Sequence, residues 1–165
     1  MKSTIRNLST LAALPLLCLL LTGGCEEPET ELSRSHAYMD SLRTMLGELR
    51  LMDHELNQVI AGRQSGVSAA LIVPIVRQKL RPTIQGLLDR TDDLTSTTAT
   101  ADVHDLFHTY LQTRLDAYNL LLQGGAESRP ELFEYFGLKQ IEAETLGRKL
   151  EDLIYKVRSE IPEYN

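Results

Sequence analysis

The stretch that decides the fold is "YMDSLRTMLGELRLMDHELNQV", residues 38–59. Its large apolar residues recur at alternating steps of four and three, and they are Tyr38, Leu42, Met45, Leu49, Met52, Leu56 and Val59. This spacing places about one side chain per turn on the same face of an α-helix, and Met39, Leu46 and Ile60 widen that face. We therefore expect a first helix that buries one side against other helices and ends near Gly62.

The second apolar segment, from about Val67 to Leu94, has helical periodicity but contains two prolines. Pro74 and Pro82 each remove a backbone donor and clash with the carbonyl group four residues back. A helix through them should bend or split, and a helix that is continuous should be kinked near Arg81. We consider two roles for this break, which are curvature that wraps the core and an opened backbone that lines a groove.

A polar stretch, "TDDLTSTTATAD" at residues 91–102, predicts a loop between the second and third helices. Its threonine and aspartate side chains can accept hydrogen bonds from free backbone donors at a helix start. The third helix is expected from about Asp102 to Gln123, where Gly124 and Gly125 should terminate it.

The fourth helix is expected to begin at "SRPE", residues 128–131, which matches the capping-box pattern with proline in the first turn. It should run to about Ser159, before Pro162. No strand alternation, repeat of fixed period or zinc-type cysteine pairing is visible. The sequence therefore predicts an all-α protein, an up-down-up-down four-helix bundle over residues 32–165.

The first 24 residues have the three-part layout of a secretory signal. Lys2 and Arg6 precede an apolar centre, "LAALPLLCLLL" at residues 11–21, and no acidic residue occurs before Glu26. As a helix, this centre reaches only about 16 Å, against a bilayer hydrocarbon core of about 30 Å. We therefore expect a signal peptide over residues 1–24 that is cleaved, and not a permanent membrane-spanning anchor.

Gly23, Gly24 and Cys25 follow this apolar centre, and here the sequence resembles the lipobox of bacterial lipoproteins. The resemblance covers only the first 25 residues. It implies cleavage directly before Cys25 and lipid attached to the Cys25 thiol through a thioether, with more than one acyl chain. Thr22 departs from the pattern, which usually has leucine at that position. Ordinary signal cleavage near the same point, which leaves Cys25 as a free thiol, is the alternative.

The predicted mature chain starts with an acidic tether, residues 25–31, in which "EEPETE" should be extended and reach at most about 20 Å. Two of the 17 Lys and Arg residues and none of the 23 Asp and Glu residues precede Cys25. The formal charge of the predicted mature chain is therefore −8. Nucleic acid is therefore not an expected partner. Cys18 leaves with the signal peptide, so no intramolecular disulfide can form. Glu26, and not Asp, follows the cysteine. In enterobacterial lipoproteins this implies sorting to the outer membrane, and we expect the protein on its periplasmic face.

Histidines provide the weak metal candidates of this chain. "HDLFH" places His104 and His108 one turn apart, a spacing that can bring two imidazoles to one metal ion. A zinc protease would have Glu in place of Asp105 and needs a third ligand, so histidines at the flank of a helix are the ordinary explanation. Together with this pair, His36, Met39 and His54 raise a haem hypothesis, because histidine and methionine side chains can be axial ligands of haem iron. The c-type attachment motif is absent, and we expect neither a metal nor a cofactor.

Arg114 is the weak ligand-binding candidate, because it projects from the apolar stripe of the third helix. The residues in line with it are Val103, Phe107, Tyr110 and Leu121. A buried guanidinium without a partner is too unfavourable to be retained. Three explanations follow, which are a carboxylate partner across the bundle, a polar cavity for a ligand, and an extended side chain that reaches water at the bundle end. We favour the carboxylate partner.

No catalytic serine triad, nucleophile elbow, phosphate-binding glycine loop or nucleotide fingerprint appears, so an enzyme is not expected. The first hypothesis for function is a lipid-anchored, non-catalytic interaction or accessory subunit of a cell-envelope complex. Its partners would be the membrane, through Cys25, and an envelope protein. The alternative is a periplasmic bundle that binds a small ligand, haem or metal through Arg114 or the pair His104 and His108.

Overall fold

The computed structural model describes residues 30–61 and 69–162, and every regular element in these residues is helical. The elements are α1 (Glu31–Ala61), α2 (Ala69–Ile75), a π-helical segment (Val76–Leu80), α3 (Arg81–Asp92), α4 (Ala101–Glu127) and α5 (Glu131–Glu160). The predicted all-α class is confirmed. Within the described ranges, no helix is both long enough and apolar enough to span a bilayer. The signal peptide, Cys25 and Gly62, near which the first helix is predicted to end, lie outside the described residues.

The predicted apolar faces converge in one hydrophobic core. The large apolar side chains that are buried on α1 lie on the predicted face, namely Tyr38, Met39, Leu42, Met45, Leu49 and Met52. They belong to the same core as side chains of the other helices, including Ile84, Leu87, Phe107, Leu111, Tyr118, Leu150 and Val157. Leu56 is half-buried, and the side chain of Val59 is outside the described ones. Full burial of each large apolar side chain stabilises the fold by about 1.5–3 kcal/mol.

The two prolines lie in one continuous helical stretch, residues 69–92. Pro74 is inside α2, and Pro82 is in the first turn of α3. Between them, the backbone widens into the π-helical segment, where the Arg81 N–H donates to the carbonyl group of Val76, five residues back. Wider π-type bonding accommodates the missing proline donors without ending the helix. The break expected near Arg81 is therefore a change of hydrogen-bonding pattern, and Val76 contributes to the core.

The structure corrects the predicted end of the third helix. Helix α4 continues through Gly124 and Gly125 to Glu127, and neighbouring segments pack closely against both glycines. A Cβ atom on Gly124 would lie 3.1 Å from Cβ of Leu132, and one on Gly125 would lie 3.2 Å from a methyl group of Val73. The glycines therefore let neighbouring segments approach α4, and they do not terminate it.

The capping box predicted for the fourth helix is wrong. Ser128 has a φ of 54°, the left-handed conformation that closes α4, and its N–H donates to the carbonyl oxygen of Gly124. The N–H of Arg129 donates to the same oxygen at 3.2 Å. Ser128 thus serves the preceding helix, and Pro130 precedes α5 without a side-chain cap.

The predicted polar loop is present between Asp92 and Ala101, and its threonines bind each other instead of capping α4. The Thr97 N–H donates to Oγ1 of Thr100 at 2.9 Å, and the Thr97 and Ser35 hydroxyl oxygens are 2.7 Å apart. All three side chains are buried. This hydroxyl cluster fixes the loop against the start of α1.

Candidate functional site

A groove with a volume of about 670 Å³ runs between α1 and α5. Its floor is apolar and consists of buried or half-buried side chains, namely Met39, Leu42, Leu46, Leu49, Leu150 and Ile154. Its rim consists of exposed side chains, namely Arg43, Arg50, Glu151, Tyr155 and Arg158. Asp53 and Tyr110 line it as well. We call this feature the α1/α5 groove.

Gly147 shapes the wall that α5 contributes to the groove. A Cβ atom on Gly147 would lie 3.4 Å from the nearest atom of the Tyr110 ring, which comes from α4. Because glycine has no side chain, Tyr110 can pass α5 and reach the groove. The groove therefore contains side chains from three helices.

The rim of the groove carries unpaired positive charge. Arg43, Arg50 and Arg158 are exposed, and none of them forms an ion pair or a side-chain hydrogen bond with a residue of the described ranges. The rim also carries one glutamate, Glu151. The groove thus presents a net positive edge on a chain whose formal net charge is −6.

Arg114 pairs with a carboxylate across the core, as favoured from the sequence. Its Nη1 donates to Oδ2 of Asp53 at 3.1 Å and to the Tyr110 hydroxyl at 3.0 Å. Its Nη2 donates to Oδ1 of Asp53 at 2.5 Å and to the Tyr118 hydroxyl at 3.0 Å. Four of the five guanidinium hydrogens are therefore used. The Tyr110 and Tyr118 rings also lie 5.7 Å and 5.9 Å from the guanidinium carbon, within the range of cation–π attraction.

The electrostatics of this cluster favour a permanent cation. Burial alone would lower the pKa of the Arg114 guanidinium, but the hydrogen bonds to Asp53 and the charge of that carboxylate raise the pKa above its ordinary value. Burial raises the pKa of the Tyr118 hydroxyl, although Arg114 acts in the opposite direction. At neutral pH the Arg114 guanidinium is thus charged and the Tyr118 phenol is neutral.

Arg114 itself does not line the groove, although two of its partners, Asp53 and Tyr110, do. The Arg114 side chain is 7% exposed and the Asp53 side chain is 41% exposed. A ligand in the groove would therefore meet the carboxylate and the phenol that Arg114 positions. The geometry thus gives Arg114 the role of positioning Asp53 and Tyr110 at the groove, and not of contacting a ligand there.

The structure separates the two histidines proposed for metal binding into different surroundings. Nε2 of His108 lies 3.3 Å from Oδ1 of Asp92. The His104 ring lies 5.9 Å from the Tyr38 ring, and its buried Nδ1 has no hydrogen-bond partner in the described part of the chain. No group of three His, Cys, Asp or Glu side chains that could hold a metal ion occurs in the described residues. Among residues 30–61 and 69–162, His104 and His108 therefore have no third ligand of the kind that a zinc site requires.

The residues considered for haem are not brought together either. His36 donates a hydrogen bond through Nε2 to the Pro162 carbonyl oxygen at 3.0 Å, and Met39 lies in the groove floor. His54 contacts Gln58 through Nε2 at 2.8 Å. On one straight helix, His36 and His54 are separated by about 27 Å, so they cannot be axial ligands of one iron.

A second surface feature is an exposed apolar stripe on α5. Tyr135, Leu138 and Ile141 are 54%, 62% and 61% exposed. Three such residues are within what a monomer surface tolerates. The stripe is a second candidate contact surface.

Comparison of the chain with models of protein families, with curated proteins and with solved structures gave no match. Lipidation at Cys25 concerns a residue outside those the structure describes and stays a prediction. The groove, the Arg114 cluster and the amino-terminal sequence are therefore the features from which a function can be proposed.

Neither the pairing of Asp53 with Arg114 nor the groove was predicted from the sequence. One signal was available, because Tyr110, Arg114 and Tyr118 are spaced four residues apart and so lie on one face of α4. That spacing identifies the two phenols as partners of the guanidinium. Nothing in the periodicity of α1 indicates that Asp53 would lie opposite them.

Proposed function

We propose that this protein is a lipid-anchored, non-catalytic interaction subunit of a cell-envelope complex. The lipid on Cys25 would tether it to the outer membrane, on the periplasmic face, and the α1/α5 groove would bind a protein partner. The observation that carries the proposal is the groove itself, an apolar floor bordered by arginines that pair with no described residue. An apolar centre surrounded by a polar rim is typical of protein-binding surfaces.

We infer that the helices form a bundle in up-down-up-down order, with residues 69–92 as its second member. In each neighbouring pair, residue numbers rise along one helix as they fall along the other. Between α1 and residues 69–92, the contacts are Glu48 with Arg90 and Glu55 with Lys79. Between residues 69–92 and α4, they are Arg81 with Asn119 and Asp92 with His108. Between α4 and α5, they are Tyr110 with Gly147 and Gly124 with Leu132. In this order the groove is the seam between the first and last helices, which no loop joins.

The predicted tether supports a role near the membrane. Residues 26–31 reach at most about 20 Å when extended, and α1 begins at Glu31. His36, near the start of α1, contacts Pro162 beyond the end of α5. The end of the groove formed by Met39 and Arg158 is therefore the end closer to the proposed anchor, so a partner in the groove would also lie near the bilayer.

A small-ligand binder is the second candidate function. The groove volume of about 670 Å³ falls within the range of about 300–1,000 Å³ typical of ligand pockets. The open rim favours a partner that covers the groove over a ligand that must be enclosed. The metal and haem versions of this alternative have no supporting geometry in the described residues.

Photo-crosslinking in the bacterial envelope tests the proposal. A p-benzoylphenylalanine at Leu46, in the groove floor, should crosslink to one defined protein, because its side chain faces the proposed interface. The same group at Gln78, exposed on the π-helical segment, is the matched control and should give none. A crosslink from Leu138 alone would place the partner on the α5 stripe and reject the groove as the site. No protein crosslink from either α1 or α5 would reject the proposed function.

A further inference from the structure

We propose that the partner segment bound in the α1/α5 groove is an amphipathic helix with acidic residues along its edges. This inference rests on the proposed function and names the chemistry of the partner at the same site. Three properties of the groove, which are its length, the form of its walls and the distribution of its charge, lead to it.

The length of the groove matches a short helix. Its lining on α1 runs from Met39 to Asp53, which is about 21 Å of helix, and on α5 from Gly147 to Arg158, which is about 16 Å. These distances correspond to about 11–14 residues of a bound helix. Of the floor residues on α1, Met39, Leu42 and Leu49 are 7%, 1% and 3% exposed, so the half-buried Leu46 and Ile154 are the floor side chains that a partner can reach. A helix laid over them would present apolar anchors spaced three or four residues apart.

The walls of the groove favour a helix over an extended peptide. Both long walls are helices, whose backbone groups are already bonded within each helix, and the described residues contain no strand edge that could pair with an incoming strand. An extended peptide over the apolar floor would leave its own backbone N–H and C=O groups unpaired. A helix bonds its own backbone and presents only side chains to the floor.

The charge of the rim favours acidic edges on that helix. Arg43 and Arg50 are seven residues apart on α1, so they are separated by about 10 Å along one wall. Arg158 adds a third positive charge on the α5 wall, where Glu151 is the one acid of the rim. The carboxylate of Asp53 is already paired with Arg114. Charge spread over two turns matches two acids seven residues apart on a helix, whereas one lipid headgroup would meet only one end of the groove.

Synthetic peptides test this inference on the full mature protein. The first probe is a 14-residue helix-forming peptide with leucines at three and four spacing and glutamates on both edges. The second has lysine at every glutamate position, and the third is the first in scrambled order. Fluorescence anisotropy should show the glutamate peptide binding at least about tenfold more tightly than the other two, a difference of about 1.4 kcal/mol.

Charge reversal on the rim provides the matched comparison. Arg43→Glu with Arg50→Glu should weaken binding of the glutamate peptide about tenfold or more, because two attractive pairs become repulsive. The control is Arg34→Glu with Arg148→Glu, which makes the same change of charge at exposed positions of α1 and α5 that do not line the groove. It should change binding less than about twofold, since distant exposed charges are screened at physiological salt.

Three outcomes would overturn the inference. Equal binding of the glutamate and lysine peptides would show that rim charge does not select the partner. Saturable displacement of the glutamate peptide by micromolar dodecyl phosphate, below its micelle concentration, would assign the groove to an anionic amphiphile. Self-association lost in the rim variant and kept in the control would assign it to a second copy. If crosslinking from Leu46 still captures a protein, the proposed function stands while this inference fails.

Discussion

At the scale of single residues, the Arg114 cluster shows how a charge can be retained inside a helical core. The Arg114 side chain has lost almost all contact with water, and its hydrogens are instead bound by Asp53, Tyr110 and Tyr118. A buried pair of this kind contributes little net stability compared with apolar side chains of equal volume. Removing one member of the pair should destabilise the protein, because it leaves the other member buried and unpaired.

Loss of Asp53 should therefore lower the free energy of unfolding more when Arg114 is present than when Arg114 is replaced. Asp53→Leu is expected to destabilise the protein by about 1–3 kcal/mol, because Arg114 loses its carboxylate. Combining it with Arg114→Met should recover part of that loss, with a coupling energy of about 0.5–3 kcal/mol. Urea unfolding of the wild type, both single variants and the double variant measures this coupling. Additive effects of the two changes would show that the pair is not an energetic unit.

Two buried tyrosines should respond in opposite ways to loss of the hydroxyl group. The Tyr38 hydroxyl is buried and has no hydrogen-bond partner among the described residues, and burial raises its pKa. The Tyr118 hydroxyl accepts a hydrogen bond from Arg114 at 3.0 Å. Tyr38→Phe should be neutral or stabilising, whereas Tyr118→Phe should cost about 1.5–3 kcal/mol. Midpoints of urea unfolding compare the two. Equal losses would mean that the Tyr38 hydroxyl is bound by a group of its own.

At the scale of helices, the sequence predicts the buried face of a helix well where apolar residues recur at helical spacing. The buried face of α1 could be predicted because seven apolar residues at helical spacing leave one geometry in which they are all covered. The role of Gly124 could not, because a glycine that ends a helix and a glycine that admits a neighbour look alike in one sequence. The distinction depends on Leu132, which α5 places 3.1 Å from the position of a Gly124 Cβ.

Two glycines in helices provide a matched test of that packing. No atom lies within 4 Å of a Cβ built on Gly86, in α3. Gly86→Ala should therefore stabilise the protein by about 0.5–1 kcal/mol through helix propensity. Gly124→Ala should destabilise it by about 1–3 kcal/mol, because the methyl group meets Leu132 and the Arg129 carbonyl oxygen at 3.1 Å and 3.3 Å. Thermal unfolding measures both changes. Stabilisation by Gly124→Ala would contradict the close approach of α4 and α5.

Asp53 illustrates the limit of prediction from helical periodicity. The apolar stripe of α4 identifies Arg114 as a buried cation that needs a carboxylate, and the structure supplies one. Which of the acids on other helices would provide it depends on the rotation and register of packed helices, which no single helix encodes. The groove was missed for the same reason, since it exists only between α1 and α5.

At the scale of the whole molecule, the proposed tether makes a prediction about location. Cys25→Ser should abolish lipid attachment, so the variant should partition into the aqueous phase of a detergent phase separation while the wild type enters the detergent phase. Intact mass spectrometry of the wild type should show the mass of acyl chains on a chain that begins at Cys25. A wild-type protein without that added mass would reject the anchor and leave Cys25 as a free thiol.

The central claim is that the α1/α5 groove holds a protein partner for a membrane-tethered domain. Its most direct measurement is sedimentation of the protein in detergent extracts of native envelopes. The wild type and the Arg34→Glu with Arg148→Glu control should sediment in one larger assembly, and Arg43→Glu with Arg50→Glu should sediment as free protein. The exposed rim arginines form no ion pairs with described residues, so their reversal should change folding stability by less than about 0.5 kcal/mol. Identical sedimentation of all three proteins would contradict the claim.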